Sequence, residues 1–298
     1  MPNHGKQGNV FRHNHNGFAG AGLDDLTWGV FSSASDSAYF EVAIDSEEGG
    51  TGSVDTFKWR ENGGAWTENV DITGSAQTLS GVNGDQIVTF AATTGHTLND
   101  QWARGNLYDE ACTVTDDQAQ ITDATRRMLD PENPPTFTDS GGANVLSIDY
   151  ARGIAYFDAA CGTVTVTGEG SHVPAAALEK CGYMYDWKLD GSVDLAEISA
   201  FQDDWKTHKP GLAEFSGGAE GYFASSKWFA AIENAIDGTR VHFLLQLFSY
   251  DPDNDQTGDH FICWATFTSF NTSANKDAIV GESINFQGQG APAFVPNA

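Results

Sequence analysis

Short stretches in which apolar and polar residues alternate recur along the chain, and they constrain its fold more than any other feature. The stretch SAYFEVAID, which ends at Asp45, is one example. Its Phe40, Val42 and Ile44 fall on one side of an extended chain and the intervening positions on the other, the pattern of a half-buried β-strand. Gly, Asn, Asp and Ser separate such stretches, and 33 of the 298 residues are glycine. The pattern predicts a mainly β protein with many tight turns.

Residues 23–109 are predicted to form a small β-sandwich. DTFKWR (55–60) and QIVTF (86–90) alternate in the same way, and Gly63-Gly64 supplies a hairpin turn after the first of them. Residues 1–22 contain His4, His13 and His15 among Gly and Asn. No carboxylate or thiol nearby completes a metal site there, so a flexible N-terminal arm is the favoured interpretation.

Residues 110–140 are predicted to be a linker or an inter-subunit segment. Three prolines between residues 131 and 135 impose extended backbone. Just before them, Asp123 is placed to cap a short helical turn that carries Arg126 and Arg127.

Residues 141–298 are predicted to form a larger domain made mainly of strands. VLSIDY, GIAYFD, TVTVTG, YMYDWKLD, VHFLLQLFSY, HFICWATFTSF and ESINFQG all have strand patterns. Residues 228–237 differ, because Phe229, Ile232 and Ile236 recur at three- and four-residue spacing and Gly238 follows as a C-cap. We therefore expect one α-helix packed against the strands.

The chain carries 41 Asp and Glu against 15 Lys and Arg, a formal net charge of −26. Holding a DNA duplex requires clustered basic residues that displace counterions, and an anionic membrane surface requires the same. The few, scattered basic residues argue against both kinds of partner, although solubility alone would also explain the charge. No run of about 18 apolar residues predicts a membrane span, and the first residues lack the apolar segment of a secretory signal.

Motifs for catalysis and for cofactors are weak. The run DWKLDGSVDLAE, from Asp186 to Glu197, has the length of an EF-hand loop, but its third position is Lys188, which offers no oxygen ligand. The alternative is a strand that ends in an Asp-Gly turn. The chain contains no nucleophile elbow, HExxH motif or phosphate-binding loop. Its four cysteines lack metal-ligand spacing, and we expect them to be reduced. We therefore expect no cofactor, no metal and no enzymatic activity. An enzyme is the least favoured class of function, and a depolymerase would be its most plausible kind.

Three stretches of the C-terminal part carry a family resemblance. They are TVTVTGEGSHVP (163–174), DLAEISAFQDDWKTHKPGLAEFSGGAEGYF (194–223) and SINFQGQGAP (283–292). Their order, with the helix and an apolar strand between the last two, resembles the major tail tube proteins of long flexible-tailed (siphovirus-type) bacteriophages. The resemblance covers residues 112–298, with Ile198 or Ser199 where the family has Thr. A second stretch, 55–102, resembles an Ig-like β-sandwich module that is appended to phage structural proteins.

The resemblance implies a tail-tube β-barrel or sandwich with one packed helix, preceded by an Ig-like sandwich that decorates the tube. It also implies homohexameric rings that stack into a tube in the virion, after assembly in the host cytoplasm. The implied partners are other copies of the chain, a tape measure protein in the lumen, tail tip and tail terminator proteins, and viral DNA that passes without tight binding. An acidic lumen would repel that DNA. The candidate lumen residues are Asp149, Asp186, Asp190 and Glu282.

A carbohydrate-binding β-sandwich of a virion or cell surface is the alternative function. Exposed tryptophans have flat faces that suit stacking on sugars. The candidates for surface contacts are Trp59, Trp66 and Trp102 in the N-terminal module. Packing of these rings in the core is the competing and favoured interpretation.

Overall fold

The computed structural model describes residues 8–13, 18, 23–174, 177–197, 208–222, 242–248, 260–273 and 281–295. Within them the chain is mainly β, with antiparallel sheets, as predicted. The strands are β1 Gly8–His13, β2 Leu26–Ser32, β3 Ala38–Ser46, β4 Thr56–Glu61, β5 Thr67–Asp71, β6 Gln77–Ser80, β7 Asp85–Phe90, β8 Gln101–Thr115, β9 Gln118–Ile121, β10 Thr136–Asp139, β11 Val145–Asp149, β12 Ile154–Phe157, β13 Val164–His172, β14 Leu178–Glu197, β15 His208–Tyr222, β16 Phe243–Phe248, β17 His260–Ser273 and β18 Gly281–Val295.

The helix predicted at 228–237 lies outside the described residues. The described part contains a single-turn 3₁₀ helix at Ala124–Arg126, capped by Asp123 through a hydrogen bond from the Thr125 N–H, as its sequence predicts. No helix in the described ranges is long and apolar enough to cross a membrane.

The chain divides into two compact units, one formed by residues 1–12 with 180–298 and the other by residues 13–179. In the first unit, six strands close a barrel in the order β1-β14-β15-β18-β17-β16. Closure leaves no open sheet edge along the paired stretches. Leu245, Phe267 and Phe286 belong to the core of this unit. Gly288 permits that packing, since a Cβ there would lie 2.0 Å from the ring of Phe215.

In residues 13–179, two sheets share a core. One sheet has the order β11-β12-β9-β8-β3-β4-β5, with β13 also paired to β8, and the other is β2-β7-β6. Phe40 and Phe57 of the larger sheet and Val88 of the smaller one are all fully buried in that core. The predicted sandwich therefore exists, and Phe40, Val42 and Ile44 share its buried face as predicted.

A second core lies in the same unit and replaces the predicted linker at 110–140. The 15-residue strand β8 passes from the first core into the second, where Ile121, Leu129 and Phe137 are buried. The predicted boundary at residue 141 also differs from the structure, because β12 pairs with β9 and β13 pairs with β8. Residues 141–179 thus belong with the sandwich, and the division between units falls at residue 180.

The predicted N-terminal arm, residues 1–22, differs as well. Its residues 8–13 form β1, which pairs with β16 so that Val10 lies opposite Leu247. Phe18 is buried against the ring of Trp102, with ring centroids 5.1 Å apart. Apolar residues at positions 10 and 18 were the signal that parts of this segment pack against the rest of the chain.

Candidate functional site

The outer surface of four barrel strands, β14, β15, β18 and β17, is polar over three cross-strand rows. Residues directly opposite one another in antiparallel strands share a face. The rows are Asp190–Ser216–Gln287–Thr266, Lys188–Gly218–Asn285–Ser269 and Asp186–Glu220–Ser283–Asn271. We call these twelve residues the polar face. Eleven of them have polar side chains and the twelfth is glycine, so this surface offers nothing for apolar packing.

The charges of the polar face lie on β14 and β15. Asp186, Asp190 and Glu220 are exposed, and Glu214 continues the acidic surface one row further, opposite Ser192. Lys188 is the only cation in the three rows, and its Nζ lies 3.4 Å from Oδ2 of Asp190. The face is therefore acidic on β14 and β15 and neutral on β18 and β17.

Alternation along the strands produces this surface. Trp187 and Leu189, between the exposed charges of β14, pack against the barrel core. At the centre of the face, Gly218 leaves room for Asn285, since a Cβ at residue 218 would lie 2.9 Å from the Asn285 side-chain oxygen. Asn285 donates from Nδ2 to Oγ of Ser269 at 2.9 Å, so the neutral half satisfies part of its own hydrogen-bonding capacity.

The structure places the four candidate lumen residues in three different surroundings. Asp186 and Asp190 lie on the polar face. Asp149 lies in the other unit, on β11, where its Oδ2 is 3.0 Å from Nη1 of Arg152. Glu282 is only 3 % exposed and shares the register of the buried Ile284 and Phe286, so it belongs to the opposite side of its strand. Asp149 and Glu282 therefore do not belong to this surface.

Two acidic residues of the surface, Glu214 and Glu220, were not predicted. They lie on β15, whose sequence HKPGLAEFSGGAEGY is rich in glycine and contains a proline, so it shows no clear alternation. The sequence does contain a signal that Glu282 faces the core. Glu282, Ile284 and Phe286 are spaced two residues apart in one strand and therefore share a face.

The EF-hand-like run is part of a continuous strand. β14 passes through Asp186, Asp190 and Glu197 without a turn at Gly191. The first and last carboxylates of the run are therefore roughly 35 Å apart, far too distant to share one ion. Within the described ranges, no group of three or more His, Cys, Asp or Glu residues is arranged to hold a metal.

The three candidate tryptophans also differ in their surroundings. Trp102 is fully buried, and its indole N–H donates to Oδ1 of Asp24 at 3.0 Å. Trp59 packs against the first core. Trp66 is half-buried beneath two cations, Lys58 and Arg60. Core packing therefore accounts for Trp102 and Trp59, and Trp66 remains as a surface candidate.

His96 has two carboxylate partners, and its geometry opposes a catalytic triad. Nδ1 lies 2.9 Å from Asp55 and Nε2 lies 2.9 Å from Asp25. Both ring nitrogens are therefore occupied by carboxylates, which leaves none to activate a serine or cysteine. Burial opposes the charge of Asp55, but hydrogen bonds from the Glu48 N–H and from His96 outweigh it and lower the pKa of Asp55. Through His96, these contacts connect Asp25, which precedes β2, to Asp55, which precedes β4.

No protein-family model matches the sequence, and no curated protein does. The solved structures that are similar to part of the fold include two of gene transfer agent particles. One is the tail of an empty gene transfer agent particle with C6 symmetry, with a TM-score of 0.33 and 11 % identity over 41 % of this chain and 88 % of that chain. The other is the virion of a native gene transfer agent particle, with a TM-score of 0.32 and 15 % identity over 40 % of this chain and 88 % of that chain. Both likenesses cover less than half of this chain.

Proposed function

We propose that this chain is a structural protein of a phage-type tail, whose copies form stacked hexameric rings with the polar face turned toward the lumen. The observation that carries the proposal is the composition of that face: polar side chains in every row, exposed carboxylates on two strands and a single lysine already paired. The resemblance of residues 112–298 to tail tube proteins supports the same function. We propose no catalytic role.

Such a surface suits the passage of DNA because it offers no binding energy. Tight binding to phosphates arises largely from counterions released by Lys and Arg, and Lys188 is held by Asp190. Repulsion by Asp186 and Glu220 adds to this effect, but a Debye length of about 8 Å at physiological salt limits it to DNA close to the wall. The lack of attraction between cations and phosphates therefore contributes more to DNA passage than repulsion by the carboxylates does.

Two exposed apolar residues on β14 and β15 are suited to contacts between copies of the chain. β15 pairs with β18 only from Ser216 to Tyr222 among the described residues, whereas its pairing with β14 extends to His208. Residues 191–197 and 208–215 thus form an extension that we call the β14–β15 arm. Val193 is 51 % and Leu212 83 % exposed on this arm. A contact between such an arm and a different surface of the next copy is heterologous, and it gives a ring if it closes.

The proposal places the protein in the virion, with the tape measure protein and then the genome in the lumen. The tail tip and the tail terminator proteins would contact the two ends of the tube. Assembly would take place in the host cytoplasm. These partners follow from the function proposed for the ring.

Charge reversal on the polar face tests the function. In assembled tubes, Glu220→Lys places one lysine per subunit on the proposed lumen wall, whereas wild-type tubes should retain no short DNA duplex after pelleting at low salt. We expect the variant tubes to retain DNA and to release it steeply as salt rises. Asp117→Lys, at an exposed position in the other unit, is the matched control and should behave as wild type. DNA retention by wild-type tubes, or equal retention by the two variants, would contradict the proposal.

A further inference from the structure

The outer surface of β4 carries two cations beside a half-buried indole. Lys58 and Arg60 are two residues apart on β4 and therefore share a face. The Arg60 guanidinium carbon lies 4.4 Å from the centroid of the Trp66 ring, and the Lys58 ammonium lies 5.1 Å from it. Both distances are within the range of a cation–π interaction. We call Lys58, Arg60 and Trp66 the Trp66 patch.

Hydrogen bonds to Glu41 hold Arg60 of the Trp66 patch in place. Glu41, opposite Arg60 on β3, is only 2 % exposed and accepts hydrogen bonds from Nε and Nη2 of Arg60 at 2.5 and 2.7 Å. Gln101 donates to the same carboxylate at 3.3 Å. This two-point ion pair fixes the plane of the Arg60 guanidinium, which lies over the Trp66 ring. A ligand would therefore meet a preorganised surface and would not have to order it.

Positive charge remains available at the patch. Glu41 takes two of the Arg60 nitrogens, and within the described ranges no carboxylate oxygen lies within 4.0 Å of the Lys58 ammonium. The turn that leads to Trp66 is Asn62-Gly63-Gly64, exposed throughout, and its two glycines place no side chain beside the indole. In a chain with a net charge of −26, two cations over a half-buried aromatic ring form a local exception.

We propose that the Trp66 patch binds an acidic polysaccharide, an activity that is separate from the proposed assembly into a tube. The indole suits the C–H face of a pyranose ring, and the cations suit carboxylate groups carried on neighbouring sugars. A nucleic acid fits less well, because its closely spaced phosphates require more cations than the patch supplies and meet a strongly acidic protein around it.

Binding of the full-length chain to alginate, a polymer of uronic acids, tests this inference. Neutral dextran and single-stranded DNA are the comparison ligands. We expect binding to alginate at low salt that weakens as salt rises, with no binding to dextran or DNA. Lys58→Gln and Trp66→Ala should each weaken it by about fivefold or more. Arg152→Gln removes a partly exposed cation outside the Trp66 patch, paired with Asp149, and should leave it unchanged.

Lys58→Gln keeps the test decisive if Trp66→Ala disturbs folding, because the lysine ammonium makes no ion pair among the described residues. Thermal unfolding of each variant confirms that it is folded. Failure of wild type to bind alginate, equal binding by wild type and Lys58→Gln, or preferred binding to DNA would each overturn the inference. None of these results bears on whether the chain forms tubes.

Discussion

His172 is a buried imidazole held in its neutral form. The ring is only 6 % exposed, and its Nε2–H donates to the carbonyl of Thr125 at 3.0 Å. Burial lowers the pKa of His172 to about 4, from an ordinary value of 6.5, because the protonated ring would lose its hydration. Gly105 lies so close that a Cβ there would be 2.2 Å from Nδ1 of the ring. The site therefore has no room for a larger residue at 105.

This pKa shift predicts a pH dependence of stability in residues 13–179. The unfolded chain binds a proton at this histidine below about pH 6.5, and the folded chain does so only below about pH 4. The stabilising contribution is thus fully present above pH 6.5 and is lost as the pH falls toward 4, by roughly 3 kcal/mol in total. Urea unfolding of wild type and His172→Asn at pH 7, 5.5 and 4 measures it. The variant should lose less stability over this range, and parallel losses would show that His172 does not titrate in this way.

At the scale of single strands, the sequence predicts which residues face the core wherever apolar and polar residues alternate regularly. β14 shows this alternation over residues 186–190, where exposed and partly buried positions follow a period of two. In β3 the same period places Phe40, Val42 and Ile44 in the core, although Glu41 and Ala43 on the other face are buried as well. The Asp190-Gly191 pair favours a turn locally. In the structure both residues continue β14, since pairing with Ser216 and Phe215 of β15 outweighs the local preference. Asp186 and Asp190 therefore lie on one continuous strand, and the interpretation in which that strand ends in an Asp-Gly turn is wrong.

β8 could not be predicted by the same argument. It contains Asp109 with a φ of +46°, which interrupts the regular alternation halfway along the strand. Its two halves also pack into different cores, so no single period describes its 15 residues. The extent of this strand depends on partners far away in sequence, β3 and β13, whose pairing a local pattern does not contain. The predicted linker at 110–140 followed from this limit.

We expect that a substitution in the β14–β15 arm can block assembly without unfolding the subunit. Leu212 is 83 % exposed, so Leu212→Asp loses little packing within the chain. If the arm contacts a neighbouring copy, the buried charge should prevent ring or tube formation. Size-exclusion chromatography and electron microscopy measure assembly, and thermal unfolding monitors the fold.

Ser216→Asp is the matched control for that experiment. It adds the same charge to the same strand, but on the polar face, at an exposed position opposite Asp190. Because the polar face is proposed to border the lumen and not a neighbouring subunit, this variant should still assemble. Loss of assembly in both variants, or in neither, would contradict the role given to the arm.

At the scale of the whole molecule, the net charge of −26 is divided unevenly, and two surfaces of the chain differ in their local charge. On the polar face, carboxylates outnumber the single lysine, which fits a surface that releases DNA. Around Trp66, two cations outweigh the one buried carboxylate, which fits a surface that binds an acidic ligand. Composition alone predicts only the average of these surfaces. Strand register separates them, because it decides which charges share a face.

The position of the polar face in an assembled particle tests the central claim most directly. A cryo-electron microscopy map of the assembled full-length chain, at a resolution that shows side chains, measures it. The account predicts six-fold rings with Asp186, Asp190 and Glu220 lining the central channel and β17 and β18 completing its wall. A map with these side chains on the outer surface or buried between subunits would contradict the account, as would a chain that forms no ring.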